Sequence, residues 1–184
     1  MRIITDHCRI FEYMVTAPGP CGTPLDSSVV GRHRPFFDCL LLTLGVERGD
    51  LALAGMAVKV IRGAAARTRA AQIVVNGFPY LPLPCGEHHG RTGRDVLTDV
   101  ADTLDVLSEV TERLEEYGER VHLMPFGWVG SYRIDSVGGT DATRTIVLPT
   151  RGTGRTLTLA DRLRGGRRSS LRQPYLRTPC TKTI

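Results

Sequence analysis

The run DCLLLTLGVE, Asp38 to Glu47, constrains the fold more than any other stretch of the chain. Leu40, Leu41, Leu42, Leu44 and Val46 follow one another with no alternation between apolar and polar residues, over the length of one strand. A strand of that kind is buried on both faces. Residues 51–71 are alanine-rich and helical, with Leu53, Met56, Val60 and Ala64 at spacings of three and four. QIVVNGF is the next strand and leads into PYLPLPCGEHHGRTG, a loop with three prolines. The longest helix spans Asp95 to Tyr117, where Val96, Val100, Leu104, Leu107, Val110 and Leu114 make one apolar stripe against an acidic face. Gly118 follows where a C-terminal cap glycine belongs.

The flanks read as strands. VHLMPF, WVGSYRID and TRTIVLP follow the long helix, and MRIITDHCRIFEYMV at the start offers two short runs broken near Asp6-His7-Cys8, which suggests a hairpin. Residues 16–37 are rich in Pro, Gly and Ser and read as an irregular excursion. Two long helices therefore interrupt six or seven strands. The expected class is α/β (α+β), with a mixed β-sheet core.

At 184 residues the chain is long enough to bury a substantial core without staples. Its five cysteines, Cys8, Cys21, Cys39, Cys85 and Cys180, are odd in number, scattered and free of any CxxC pair, which argues against a disulfide framework or a zinc knuckle. No segment has the apolar length of a membrane span and no leader pattern opens the chain, so the expected location is cytoplasmic with no membrane partner. The net charge of +5 is divided unevenly. Residues 151–184 carry nine Arg or Lys against Asp161 alone, leaving the first 150 residues mildly acidic. The expected organisation is a domain over 1–150 and a flexible basic tail over 151–184. Such a tail attracts phosphate backbones without reading sequence, or is simply a solvated extension.

The only tryptophan lies in MPFGWVGSYRI, Met124 to Ile134, between two glycines. Gly127 and Gly130 remove side chains where a strand would want them, which implies that another backbone or a ligand comes close. Trp128 reads either as a pocket wall or as a buried core corner.

Four collinear segments carry a resemblance. The opening MRIITDHCRIFEYMV, LLLTLGVE, IVVNGFPYL and MPFGWVGSYRI resemble, in order and spacing over residues 1–148, the N-terminal editing domain of archaeal-type threonyl-tRNA synthetases. The resemblance implies the D-aminoacyl-tRNA deacylase-like fold. It also implies hydrolysis of the ester joining a wrong amino acid, typically serine, to the terminal adenosine of tRNA. Val46, Phe78, Pro79, Pro125, Phe126, Gly127 and Trp128 would then line a pocket for that adenosine and its aminoacyl group. The family's polar residues are not kept: Tyr80 stands where the family has a histidine, Gly130 where it has a lysine, and Asp141 and Thr143 nearest its glutamate. Backbone N–H groups and the 2′-OH of the substrate would have to position the water instead.

The resemblance implies no metal or other cofactor, and a homodimer. His7, and His88-His89 beside Cys85, are polar groups that a fold could bring to the pocket, although a solvated loop accounts for the second pair. His122 reads as a strand residue facing polar neighbours. Arg162, Arg164, Arg167, Arg168 and Arg172 of the tail are candidates for holding the tRNA backbone. The functional expectation is a trans-acting aminoacyl-tRNA deacylase. Its alternatives are a catalytically weak module that binds aminoacyl-tRNA or a threonyl-tRNA synthetase, and a small-molecule hydrolase on the same scaffold.

Overall fold

The computed structural model describes residues 1–80, 95–138 and 143–149. Strands β1 (Arg2–Pro18) and β2 (Arg34–Val46) are followed by helix α1 (Ala54–Thr68) and strand β3 (Gln72–Pro79). Helix α2 (Val96–Glu116), β4 (Val121–Leu123), β5 (Trp128–Ser136) and β6 (Thr143–Val147) complete the order. The six strands form one mixed sheet in the order β4-β3-β2-β1-β5, with β6 also paired to β1. The two helical crossovers bring β3 parallel to β2 and β4 parallel to β3, whereas β2, β5 and β6 all run antiparallel to β1.

β1 organises the sheet. One of its edges pairs with β2 over Arg2–Tyr13; the other pairs with β6 over Arg2–Asp6 and with β5 over Cys8–Pro18. The expected hairpin break at Asp6-His7-Cys8 does not occur. The polar side chains that suggested a turn are satisfied within the sheet: Asp6 accepts a hydrogen bond from Thr143 Oγ1 at 2.5 Å, and His7 Nε2 lies 2.9 Å from Asp38 Oδ1. The irregular segment is correspondingly shorter than expected, running from Gly19 to His33 with one 3-10 turn at Ser27–Val29.

A dislocation crosses both central strands at Arg9 and Asp38. Asp38 has φ 46°, and the parity of the inward-facing positions changes there, from Cys8 to Phe11 on β1 and from Cys39 to Phe36 on β2, so that all four stay on the inner face. The sheet therefore bends, as bulged strands do. It also rolls. β4 and β5 stand at opposite ends of the strand order, four gaps of about 4.8 Å apart if flat, yet only four residues join them. Five extended peptide steps reach about 17 Å. Contact between Tyr13 of β1 and His122 of β4, O to Nε2 at 2.8 Å, confirms that the ends have been brought together.

The roll creates two cores. On the outer face, Ile3, Leu40, Leu42, Leu44, Val46, Ile73 and Val75 pack against both helices. Each such side chain contributes about 1.5–3 kcal/mol when fully buried. On the inner face, Cys8, Phe11, Tyr13, Val15, Cys39, Leu41 and Val74 form a second cluster, with Phe36, Met124 and Trp128 against it. Leu41 and Leu42 thus look in opposite directions, which is why β2 had to be apolar throughout.

The expected helix faces are buried apart from Met56 and Val96: Leu53, Ala64, Leu107, Val110 and Leu114 lie in the core, and Val60, Val100 and Leu104 pack against it. α1 packs through Ala54, Ala57, Val58, Ile61, Ala64 and Ala65, while Met56 is 51% exposed. Alanines let the helix axis lie close to the sheet, so the small side chains and not the large one mark the contact. In α2 the buried positions are Asp99, Thr103, Val106, Leu107, Val110 and Leu114; Val96, the first helical residue, is 54% exposed. Asp95 caps the helix, its carboxylate accepting from the N–H groups of Leu97 and Thr98. No described helix is long and apolar enough to cross a membrane.

Candidate functional site

The Pro-Phe-Gly-Trp turn joins the two ends of the rolled sheet. Gly127 has φ 73°, and a Cβ there would lie 2.6 Å from the carbonyl oxygen of Cys21 and 2.9 Å from the nitrogen of Gly22. The backbone that approaches it is the chain's own. Gly19 N donates to Gly127 O at 2.8 Å, Thr23 N to Phe126 O at 3.0 Å, and the indole N–H of Trp128 to Thr23 O at 2.8 Å. Residues 19–23 therefore form a strap over the turn. Gly130 is a second close approach: paired with Val15 in the ladder, it has no room for a Cβ, which would overlap the Met14 carbonyl oxygen.

The residues expected to line a pocket occupy three settings. Val46 and Phe126, 2% and 8% exposed, belong to the helix-side core. Pro79 is paired with Val46 and Pro125 is half-buried in the turn. Trp128 is half-buried against the inner core, with its polar edge bonded to the strap. Phe78 and Tyr80 are different. Alternation along β3 turns them to the inner face, half-buried, at the end of the sheet that the inner core does not fill.

That end is laid out by the register. Arg2, Gly45 and Phe78 stand in one row across β1, β2 and β3, and Ile4, Thr43 and Asn76 in the next. Gly45 makes the row possible, because a Cβ on it would meet the Phe78 ring and Tyr80 Cβ, each at 3.3 Å. Tyr80 N donates to Val46 O at 2.7 Å, and the Arg2 guanidinium lies 4.2 Å from the centre of the Tyr80 ring. Such a cation–π contact contributes about 0.5–1 kcal/mol at an exposed site. Neither Thr43 nor Asn76 has a side-chain hydrogen-bond partner among the described residues. The arrangement offers an aromatic platform, two neutral groups that both donate and accept, and a cation at the rim.

His122 is a strand residue, as expected, but its surroundings are mainly aromatic. Its ring centroid lies 4.7 Å from that of Phe36 and 5.8 Å from that of Tyr13, and burial, with a smaller contribution from the charge of Arg34, pushes its pKa down to about 4. It is a neutral core group that bonds the Tyr13 hydroxyl. His7 sits at the dislocation with Asp38. Asp6 has its pKa raised by burial, against which the hydrogen bonds of Thr143 and Ser136 act. Among the described residues, no three His, Cys, Asp or Glu side chains converge as a metal site would require. A groove of about 480 Å³ between the helices is lined by Lys59, Arg62, Glu109, Glu112 and Arg113 among others. Arg113 pairs with Glu109 there, and Arg62 with Glu119 and the Tyr117 ring. Asp141, Cys85, His88, His89 and the arginines of the tail lie outside the described residues.

Comparison with known proteins follows this layout. No family profile matches the chain. It is 28% identical over 155 residues to a threonine–tRNA ligase of Thermofilum pendens, a match that takes in 79% of this chain. The chain spans 22% of the length of that relative. Among solved structures it is similar to c-Myc DNA Unwinding Element Binding Protein, with a TM-score of 0.50 and 10% identity over 82% of this chain and all of that one. The second likeness is one of fold. Together they support the mixed α+β architecture and a relation to a threonine–tRNA ligase segment.

Thr43, Gly45 and Asn76 were not singled out in the sequence. The signal available was the alternation itself: Thr43 and Asn76 are the polar positions within otherwise apolar strands.

Proposed function

We infer that the chain is an aminoacyl-tRNA deacylase that hydrolyses a seryl-type ester at the 3′ end of tRNA. The observation that carries the reading is the similarity to a threonine–tRNA ligase over 155 residues, a match that takes in 79% of this chain. The inner face at the ends of β2 and β3 is the proposed site. Phe78 would stack with the terminal base, an interaction commonly worth about 1–3 kcal/mol. Arg2, exposed at the rim, would meet a backbone phosphate.

Val46, Pro79, Pro125, Phe126, Gly127 and Trp128 would then shape the site mainly through backbone and packing. Gly130 supplies no side chain, and Tyr80 and Asp141 take the places of the family's other polar groups. Hydrolysis in such a site relies on the substrate's 2′-OH and on backbone donors aimed at the developing oxyanion. Arg162, Arg164, Arg167, Arg168 and Arg172 would add sequence-independent affinity for tRNA. Edge strand β5 exposes Val129, Tyr132 and Ile134, an apolar margin that suits pairing with a second copy as a homodimer.

The test uses two changes in one assay. Replacing the terminal adenosine of the charged tRNA by 2′-deoxyadenosine should abolish turnover, and Phe78→Ala should weaken binding of the charged end by about 1–3 kcal/mol with the fold intact. Turnover that is indifferent to the 2′-OH would refute the mechanism. A second reading, a binding module without turnover, is favoured by one observation: the space of the family's lysine is taken by Met14 backbone at Gly130. Tight binding of charged tRNA with the ester left intact would establish it.

A further inference from the structure

Two of the five cysteines meet in the fold. Cys8 on β1 and Cys39 on β2 are direct partners in the antiparallel ladder, so their side chains leave the sheet on the same face, and both are fully buried in the inner core. Partners in such a ladder have Cα atoms about 4.5–5.5 Å apart. A disulfide needs about 4.4–6.8 Å between Cα atoms, so the backbone is already in range. Cys21, the other described cysteine, packs against the helix-side core and is no competitor for either.

We propose that Cys8 and Cys39 form a reversible cross-strand disulfide under oxidation by peroxide, and that this bond locks the bend of the sheet. The position gives the bond its effect. It lies on the last regular rung before the dislocation at Arg9 and Asp38, where the inner face turns over onto Tyr13, Phe36 and His122. A covalent rung there ties the two central strands together where the ladder is interrupted.

The two sulfurs are unequal. The hydrogen bond to Cys39, followed by burial, pushes the Cys8 thiol up, whereas the hydrogen bond from Cys8 draws the Cys39 thiol down. Cys39 is accordingly the first to react, since the thiolate is the nucleophile. Its sulfur attacks one peroxide oxygen, the O–O bond breaks, and hydroxide leaves and takes up the thiol proton as water. Cys39 is then a sulfenic acid. The Cys8 sulfur attacks the Cys39 sulfur, the S–S bond forms as the S–OH bond breaks, and the departing hydroxide takes the Cys8 proton. Two thiols have lost two electrons and one peroxide has become two waters. Peroxide is close to water in size, so burial slows its entry without demanding that the protein unfold.

The experiment uses the full chain with Cys21, Cys85 and Cys180 replaced by serine. Hydrogen peroxide added to the folded protein should remove the mass of two hydrogens, and a non-reduced digest should contain one peptide pair joining Cys8 to Cys39. Dithiothreitol should restore the original mass, and the oxidised form should melt higher than the reduced form. The same digest of the wild-type chain gives the answer if the triple variant fails to fold. In Cys8→Ser, Cys39 should accumulate as a sulfenic acid that dimedone traps. Unchanged mass after prolonged peroxide treatment would overturn the proposal. So would oxidation of Cys39 to the sulfinic acid with Cys8 still present as a thiol.

Discussion

Gly127→Ala is the substitution that best measures how the Pro-Phe-Gly-Trp turn is held. Two costs separate cleanly. The first is conformational: at φ 73° an L side chain is strained by about 1–2 kcal/mol. The second is contact: the new Cβ would lie 2.6 Å from Cys21 O, 2.8 Å from its carbonyl carbon and 2.9 Å from Gly22 N, all backbone atoms that cannot rotate away. Their retreat stretches Gly19 N to Gly127 O and Thr23 N to Phe126 O, which contribute about 0.5–1.5 kcal/mol each. The expected loss is therefore about 2–4 kcal/mol, or roughly 1–2 M in the urea midpoint. Gly118→Ala is the control, because Gly118 has φ 81° and open space where its Cβ would go. It should cost only the first term, about 1–2 kcal/mol. Equal losses for the two variants would show that the strap of residues 19–23 does not sit on the turn.

Other outcomes follow from the same geometry. Gly130→Lys, which introduces the family's residue type, should destabilise the protein and not raise its turnover, because its Cβ overlaps Met14 backbone; a stable and faster variant would contradict the placement of β5. For His122, the folded pKa of about 4 lies below the ordinary 6.5, so the unfolded chain binds the extra proton first. Stability should be full above pH 6.5 and fall as pH drops towards 4, by on the order of 2 kcal/mol after allowance for partial solvent screening. His122→Gln, which keeps an acceptor for Tyr13, should flatten denaturation midpoints over that window, and an unchanged slope would remove His122 from the account. Leu42→Ala, in the helix-side core, should cost about 2–5 kcal/mol by chemical denaturation.

How much could be read in advance depends on how far apart in sequence the partners lie. The buried strand through Leu40–Val46 and the helix from Val96 were legible because their patterns are local: unbroken apolarity in one case, a stripe and a capping aspartate in the other. Gly127 announced a close approach, but its partner is a strap about a hundred residues earlier, and no local pattern encodes that. Asp6 and His7 looked like a break for the same reason; their partners are Thr143 and Asp38. For His122 the strand was legible and the aromatic surroundings were not, because a polar residue in a short strand gives no sign that the sheet rolls and closes an aromatic cluster over it. At the candidate site, Phe78 and Tyr80 stood out by resemblance, whereas Thr43 and Asn76 become interesting only when the register sets them side by side. Val46 and Phe126 face the other core, a distinction that requires the parity of each strand to be known.

The central claim is that this rolled sheet hydrolyses an aminoacyl ester on tRNA. Incubating the purified protein with Ser-tRNA, Thr-tRNA and D-aminoacyl-tRNAs and following release of the amino acid tests it most directly. The account predicts that Ser-tRNA loses its ester much faster than its spontaneous rate, with Thr-tRNA spared. If every ester survives at the spontaneous rate while the protein is folded and binds the charged tRNA, the deacylase reading is contradicted and the binding module stands in its place.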